Sequence, residues 1–115
     1  MLAYDRIQGG FCLSVQVINK ETFDQVITDS ENPVIVDFYA DWCQPCKRIS
    51  RVLEEIAEEN KEVFSVYKVD TEKDPELAME YNVTGLPTLI SFKDGKEFRR
   101  VRGVAPKEEL MNLVD

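Results

Sequence analysis

The sequence predicts an α/β fold: a central mixed β-sheet, parallel strands plus a C-terminal antiparallel hairpin, flanked by helices on both faces. Three observations carry this expectation. Strand-like and helix-like segments alternate along most of the chain, which argues for βαβ units and parallel strands. One segment, VIVDFYA at Val34–Ala40, is almost continuously apolar, β-branched and aromatic, as suits a central strand covered on both faces. Late in the chain two strand-like segments flank Asp94-Gly95, a strong hairpin turn signal, so the last two strands run antiparallel.

In chain order, residues 1–13 read as an N-terminal extension and 14–115 as one domain, a size at which a single core suffices. Ser14 to Ile18 alternates enough for a short strand. Asn19 then offers a side-chain oxygen to cap a helix whose body includes Thr22 to Ile27. DSENP, Asp29 to Pro33, is a turn, and the buried strand follows. From Cys43 to Asn60 the pattern becomes helical, with Ile49, Val52, Leu53 and Ile56 inward and Arg48, Arg51, Glu54, Glu55 and Glu58 outward. Val63 to Asp70 reads as a strand. Asp74-Pro75 opens a short helix, proline in its first turn, with Leu77 and Met79 expected inside. Thr88 to Lys93 and Lys96 to Arg102 form the hairpin. Pro106 to Val114 closes the chain as an amphipathic helix with Leu110, Leu113 and Val114 inward.

Composition narrows the function. The net charge of −8 repels polyanions, so nucleic acid and anionic membranes are not expected as partners. Asp5 and Arg6 stand where a secretory signal needs an unbroken apolar core, so the cytoplasm is the expected location. No heptad or long apolar edge strand marks an oligomer, and a monomer is expected.

The chain has three cysteines, Cys12, Cys43 and Cys46, and no histidine. A structural zinc site wants four ligands, usually Cys or His, and this set falls short; no metal is expected. A disulfide between Cys43 and Cys46 would close too small a loop to stabilise the fold much. Redox chemistry is the use of the pair that survives. Cys43 falls where a strand gives way to a helix. Unpaired N–H groups and the positive end of the helix dipole favour its thiolate, the reactive form. Cys46 lies one turn on, within reach and expected to be less exposed, and Pro45 sits early in the helix, where a missing N–H costs little. Cys43 would attack a disulfide and Cys46 would then resolve the mixed disulfide. With no histidine available, Asp37 on the strand leading into the motif is the candidate proton carrier, its pKa raised by burial. Lys68 on the neighbouring strand is its candidate partner.

These residues resemble the thioredoxin family. WCQPC preceded by VDFYAD, the lysine of YKVD, TGLPTL, the FKDGK turn and a late RGV occur in the family's order and spacing, from about Val15 to the C-terminus. The resemblance implies the thioredoxin fold and a protein-disulfide reductase with no bound cofactor, its redox group being a Cys43–Cys46 disulfide. It makes Cys43 the nucleophile, Cys46 the resolving thiol, and Asp37 with Lys68 the buried proton carrier and its neighbour. Pro87 would be a cis-proline facing the disulfide, its backbone pairing with an extended substrate segment. Trp42, Gln44, Pro45, Gly85, Leu86, Gly103 and Val104 would form the substrate-contact surface. Client proteins carrying disulfides and an electron donor of the thioredoxin-reductase type would be the partners.

Three features depart from the family pattern. Gln44 stands where glycine is most common, so its amide either donates to the Cys43 thiolate or points to water. Arg51 stands where many members have a kinking proline, and a straighter helix is expected. Cys12 and the extension lie outside the family core, Cys12 serving as a small buried hydrophobe or as a regulatory disulfide partner. The absence of an export signal and of histidine between the cysteines favours a reductant over an oxidant or isomerase. A thioredoxin-fold binding module is the reading from another class.

Overall fold

In a computed structural model, residues 14–115 are described, and Cys12 and the extension lie outside them. Five strands form one sheet in the order β1-β3-β2-β4-β5. β1 (Gln16–Val17), β3 (Ser65–Asp70) and β2 (Val34–Tyr39) are parallel, while β4 (Thr88–Lys93) runs antiparallel to β2 and β5 (Lys96–Arg102) antiparallel to β4. The helices are α1 (Lys20–Asp29), α2 (Gln44–Glu59), α3 (Pro75–Glu80) and α4 (Lys107–Met111), the last continued by a 3-10 turn over Asn112–Val114.

Alternation along β2 divides the interior into two cores. Val34, Val36 and Phe38 pack with Phe23 and Ile27 of α1 and Leu77 of α3. Ile35 packs on the other face with Ile49, Leu53 and Ile56 of α2 and Leu110 of α4. Because side chains alternate, Asp37 and Tyr39 share the α2 face with Ile35. β2 is thus central and covered on both sides, as its apolar run predicts.

Local chemistry sets the boundaries. Asn19 Oδ1 accepts from the Thr22 N–H at 3.1 Å and Thr22 Oγ1 accepts from the Asn19 N–H at 3.2 Å, a reciprocal cap on α1. Asp94 and Gly95 both take positive φ, 54° and 78°, the backbone of a type I′ hairpin turn. Ser91, buried in β4, donates to the Leu113 carbonyl at 2.7 Å and ties the closing turn to the sheet. α2 continues unbroken through Arg51.

Several expectations change. β3 starts at Ser65 rather than Val63, because the Val63 and Phe64 N–H groups both go to the Asn60 carbonyl in the turn that closes α2. Met79 is 76% exposed rather than inside. α3 has only six residues, Leu77 takes its inward position, and two residues on the side chain has turned roughly 200° away. Glu54 is half-buried rather than outward, accepting from the Ser14 N–H at 2.9 Å. The closing helix tightens to 3-10 geometry in its last turn, with Leu110 and Leu113 buried and Val114 packed partly against the core.

Candidate active site

The site forms where β2 ends and α2 begins. Cys43 is the N-cap of α2, and Pro45 occupies its first turn, where no N–H is needed. Cys43 and Cys46 are joined in a disulfide with Cα atoms 5.2 Å apart. The Cys46 N–H, one of the free donors of the helix start, donates to Cys43 Sγ at 3.1 Å. That donor and the positive end of the helix dipole both face Cys43 Sγ.

Both cysteines are 3% exposed, so in this oxidised state Cys46 is no more hidden than Cys43. The disulfide draws the two sulfurs together over Ala40, and Tyr39 and Leu86 pack against them. Gln44 is exposed, and its amide makes no hydrogen bond to Cys43 among the described residues.

Asp37 lies on the α2 face of the sheet, two residues before Tyr39, and is completely buried. Among the described residues its two carboxyl oxygens are the buried side-chain polar atoms without a hydrogen-bond partner. Burial favours its neutral form and pushes its pKa up to about 7, a rise that the nearby Lys68 charge partly offsets. Lys68 pairs with Asp37 in the β2–β3 register. Its ammonium, however, donates to Ser50 Oγ at 3.1 Å and lies 4.3 Å from the centre of the Tyr39 ring.

The Leu86–Pro87 peptide bond is cis, and Pro87 is buried just before β4. The Gly103 N–H donates to the Pro87 carbonyl at 2.8 Å, with Gly103 at φ 82°, a conformation that favours glycine. Trp42, Gly85 and Leu86 line one shallow cleft of about 260 Å³, together with Thr71, Ala78, Val83 and Thr84. Trp42 is 66% exposed, and its indole N–H donates to Glu72 Oε2 at 3.1 Å. Gln44, Pro45, Gly103 and Val104 do not line that cleft, and Val104 is exposed.

Sequence reasoning missed Tyr39, Ser50, Glu72 and the α3-side wall of Ala78 and Val83. Nothing in their local pattern marks them, because each joins the site through a contact across the fold. Asp70 offered a weak signal: it ends a strand before a turn, and its buried carboxylate accepts from the Glu72 N–H at 2.9 Å and the Lys73 N–H at 3.3 Å.

A five-stranded mixed sheet carrying a CxxC disulfide at a strand-to-helix junction, with Leu86 of a cis Leu86–Pro87 bond packed against the cysteines, is the architecture of a dithiol–disulfide protein of thioredoxin type. The thioredoxin family model matches residues 14–115, and the chain belongs to the thioredoxin family. It is 42% identical over 106 residues to thioredoxin Y2, chloroplastic, of Arabidopsis thaliana, covering 90% of this chain and 64% of that protein. It is 40% identical over 98 residues to thioredoxin 1 of Synechococcus elongatus, covering 85% of this chain and 92% of that one. The chain thus spans just under two thirds of the Arabidopsis relative and nearly all of the cyanobacterial one. Among solved structures it is similar to a mutant thioredoxin from Halobacterium salinarum, with a TM-score of 0.80, 33% identity and coverage of 91% of this chain and 93% of that one. The Malassezia sympodialis thioredoxin superposes with a TM-score of 0.78 at 34% identity, covering 87% of this chain and 88% of that one.

Proposed function

We propose that this chain reduces disulfides in client proteins by cycling Cys43 and Cys46 between dithiol and disulfide. The observation that carries the proposal is the Cys43–Cys46 disulfide at the start of α2, with an uncompensated carboxyl, Asp37, buried on the same side of the sheet. The Cys43 thiolate attacks one sulfur of the client disulfide, forming a mixed disulfide and expelling the other client sulfur, which takes up a proton. Cys46 gives its proton to the Asp37 carboxylate and attacks Cys43 Sγ, closing the intramolecular disulfide and expelling the second client sulfur. Two electrons pass from the cysteine pair to the client. A carboxyl with a pKa of about 7 holds both forms near neutrality, as a proton carrier there needs.

The exposed cleft beside Trp42, Gly85 and Leu86 offers an apolar surface for an extended client segment, with the backbone around Pro87 as its pairing edge. A thioredoxin-reductase-type donor would restore the dithiol. We place the protein as a monomer in a reducing compartment, the cytoplasm first; the chloroplastic names among its relatives make a plastid the alternative.

The test is equilibration in dithiothreitol or glutathione redox buffers, followed by fluorescence of Trp42, the one tryptophan, and by thiol alkylation. A reversible two-electron couple at about −250 mV or lower, close to the roughly −270 mV that thioredoxin shows as a reference, supports the reductant. A couple near −200 mV or above makes it an oxidant or isomerase. A pair that does not cycle, with a Cys43→Ser/Cys46→Ser variant still performing the cellular role, makes it a binding module.

A further inference from the structure

Lys68 stands opposite Asp37 in the parallel ladder, where side chains of register partners share a face. An ammonium so placed normally closes on the carboxylate. Here it does not: both Asp37 oxygens lack a hydrogen-bond partner, while Lys68 Nζ donates to Ser50 Oγ and sits over the Tyr39 ring. Ser50 belongs to α2, one turn past Cys46, and Tyr39 packs against the disulfide. The two acceptors of the ammonium, a hydroxyl and a π-face, thus come from α2, which carries the cysteines, and from the end of β2, which leads into it.

We infer that Ser50 is a positioning residue: with the Tyr39 ring, its hydroxyl holds the Lys68 ammonium off the Asp37 carboxyl and leaves that carboxyl free to take and give a proton. The inference rests on the proton-carrier reading of Asp37. It goes beyond it by naming the group that keeps Asp37 out of a closed ion pair. Lys68 is the one charge that acts on Asp37 among the described residues. On β4 the cross-strand partner of Asp37 is Leu89, which carries no charge. On β2, burial holds the Tyr39 phenol neutral to above its ordinary range. On α2, Lys47 and Arg51 flank Ser50 but are exposed, and the charged residues of α4 are exposed as well. In the oxidised protein the two cysteines do not titrate.

The oxidised full chain therefore lets Asp37 be followed alone, by carbon-detected NMR of its side-chain carboxyl across pH. In Ser50→Ala the ammonium loses its hydroxyl acceptor and closes on Asp37, so the Asp37 midpoint falls by about one pH unit. Ser50→Thr keeps a hydroxyl and keeps the midpoint near that of the parent. Lys68→Met raises the midpoint, and adding Ser50→Ala to it produces no further change. The inference is overturned if Ser50→Ala leaves the midpoint in place or raises it. It is also overturned if Ser50→Thr lowers the midpoint as far as Ser50→Ala, or if the fall persists without Lys68. A separate readout isolates the underlying reading: Asp37→Asn with a parental pH profile for client reduction removes Asp37 from the proton path, and the carboxyl titration still reports whether Ser50 restrains Lys68.

Discussion

Asp37 is a carboxyl that the folded protein holds best when neutral. Its pKa rises from 3.8 to about 7 on folding because burial penalises the charge. Between those values the native state keeps a proton that the unfolded chain has released. The unfolded state then binds fewer protons, so stability falls as pH rises from about 4 to about 7 and stays lower above that. Asp37→Asn removes this dependence. The amide's own unmet hydrogen bonds cost the same at every pH and cancel in the comparison. The gain in unfolding free energy over the parent should be about 2–3 kcal/mol larger at pH 8 than at pH 5, read from denaturant melts of the oxidised proteins. An equal difference at both pH values would show that Asp37 does not titrate in this range. Gln44 illustrates the opposite case. It is exposed and makes no hydrogen bond to Cys43 Sγ among the described residues, so Gln44→Gly should leave the rate of Cys43 alkylation at pH 7 within about twofold of the parent. A tenfold drop would show that the amide does support the thiolate.

At the scale of elements, boundaries follow local chemistry wherever a local device exists. The Asn19–Thr22 cap starts α1, and the Asp94-Gly95 turn fixes the β4–β5 hairpin. Asn19→Ala should cost about 1 kcal/mol, measured as a lower denaturant midpoint with an unchanged slope. A loss below a few tenths would mean that tertiary packing alone holds α1 in place. Where no local device exists, sequence reading slipped. The strand pattern runs into Val63 and Phe64, yet the Asn60 carbonyl claims both of their N–H groups. Met79 looks interior by composition, yet a six-residue helix has one buried face and Leu77 fills it.

For the whole molecule, the sheet edges decide association. β1 is only two residues long, and β5 carries Lys96, Arg99, Arg100 and Arg102. Short and charged edges both discourage strand-to-strand pairing. Sedimentation in the presence of reductant should therefore give a monomer at tens of micromolar protein; a concentration-dependent dimer would mean that another surface mediates assembly. The same architecture joins the parts of the site. Cys43 caps α2 and Cys46 lies in its first turn, Asp37 and Tyr39 come from β2, Lys68 comes from β3 and Pro87 immediately precedes β4. The order β1-β3-β2-β4-β5 sets β3 and β4 on either side of β2 and so brings these segments together.

The sequence by itself determined the alternation of elements, the central place of Val34–Tyr39, the cysteine pair at a helix start and the one carboxylate in an apolar strand. Each of these is a periodicity or a local cap, and such signals lie within a few residues of one another. Only the tertiary structure decided that the Lys68 ammonium rests on Ser50 and Tyr39 instead of on Asp37. It also decided that Trp42 and Leu86 share a cleft with Ala78 and Val83, and that both cysteines are equally covered. Those contacts join residues far apart in the chain, and which acceptor an ammonium takes depends on packing that no single segment encodes.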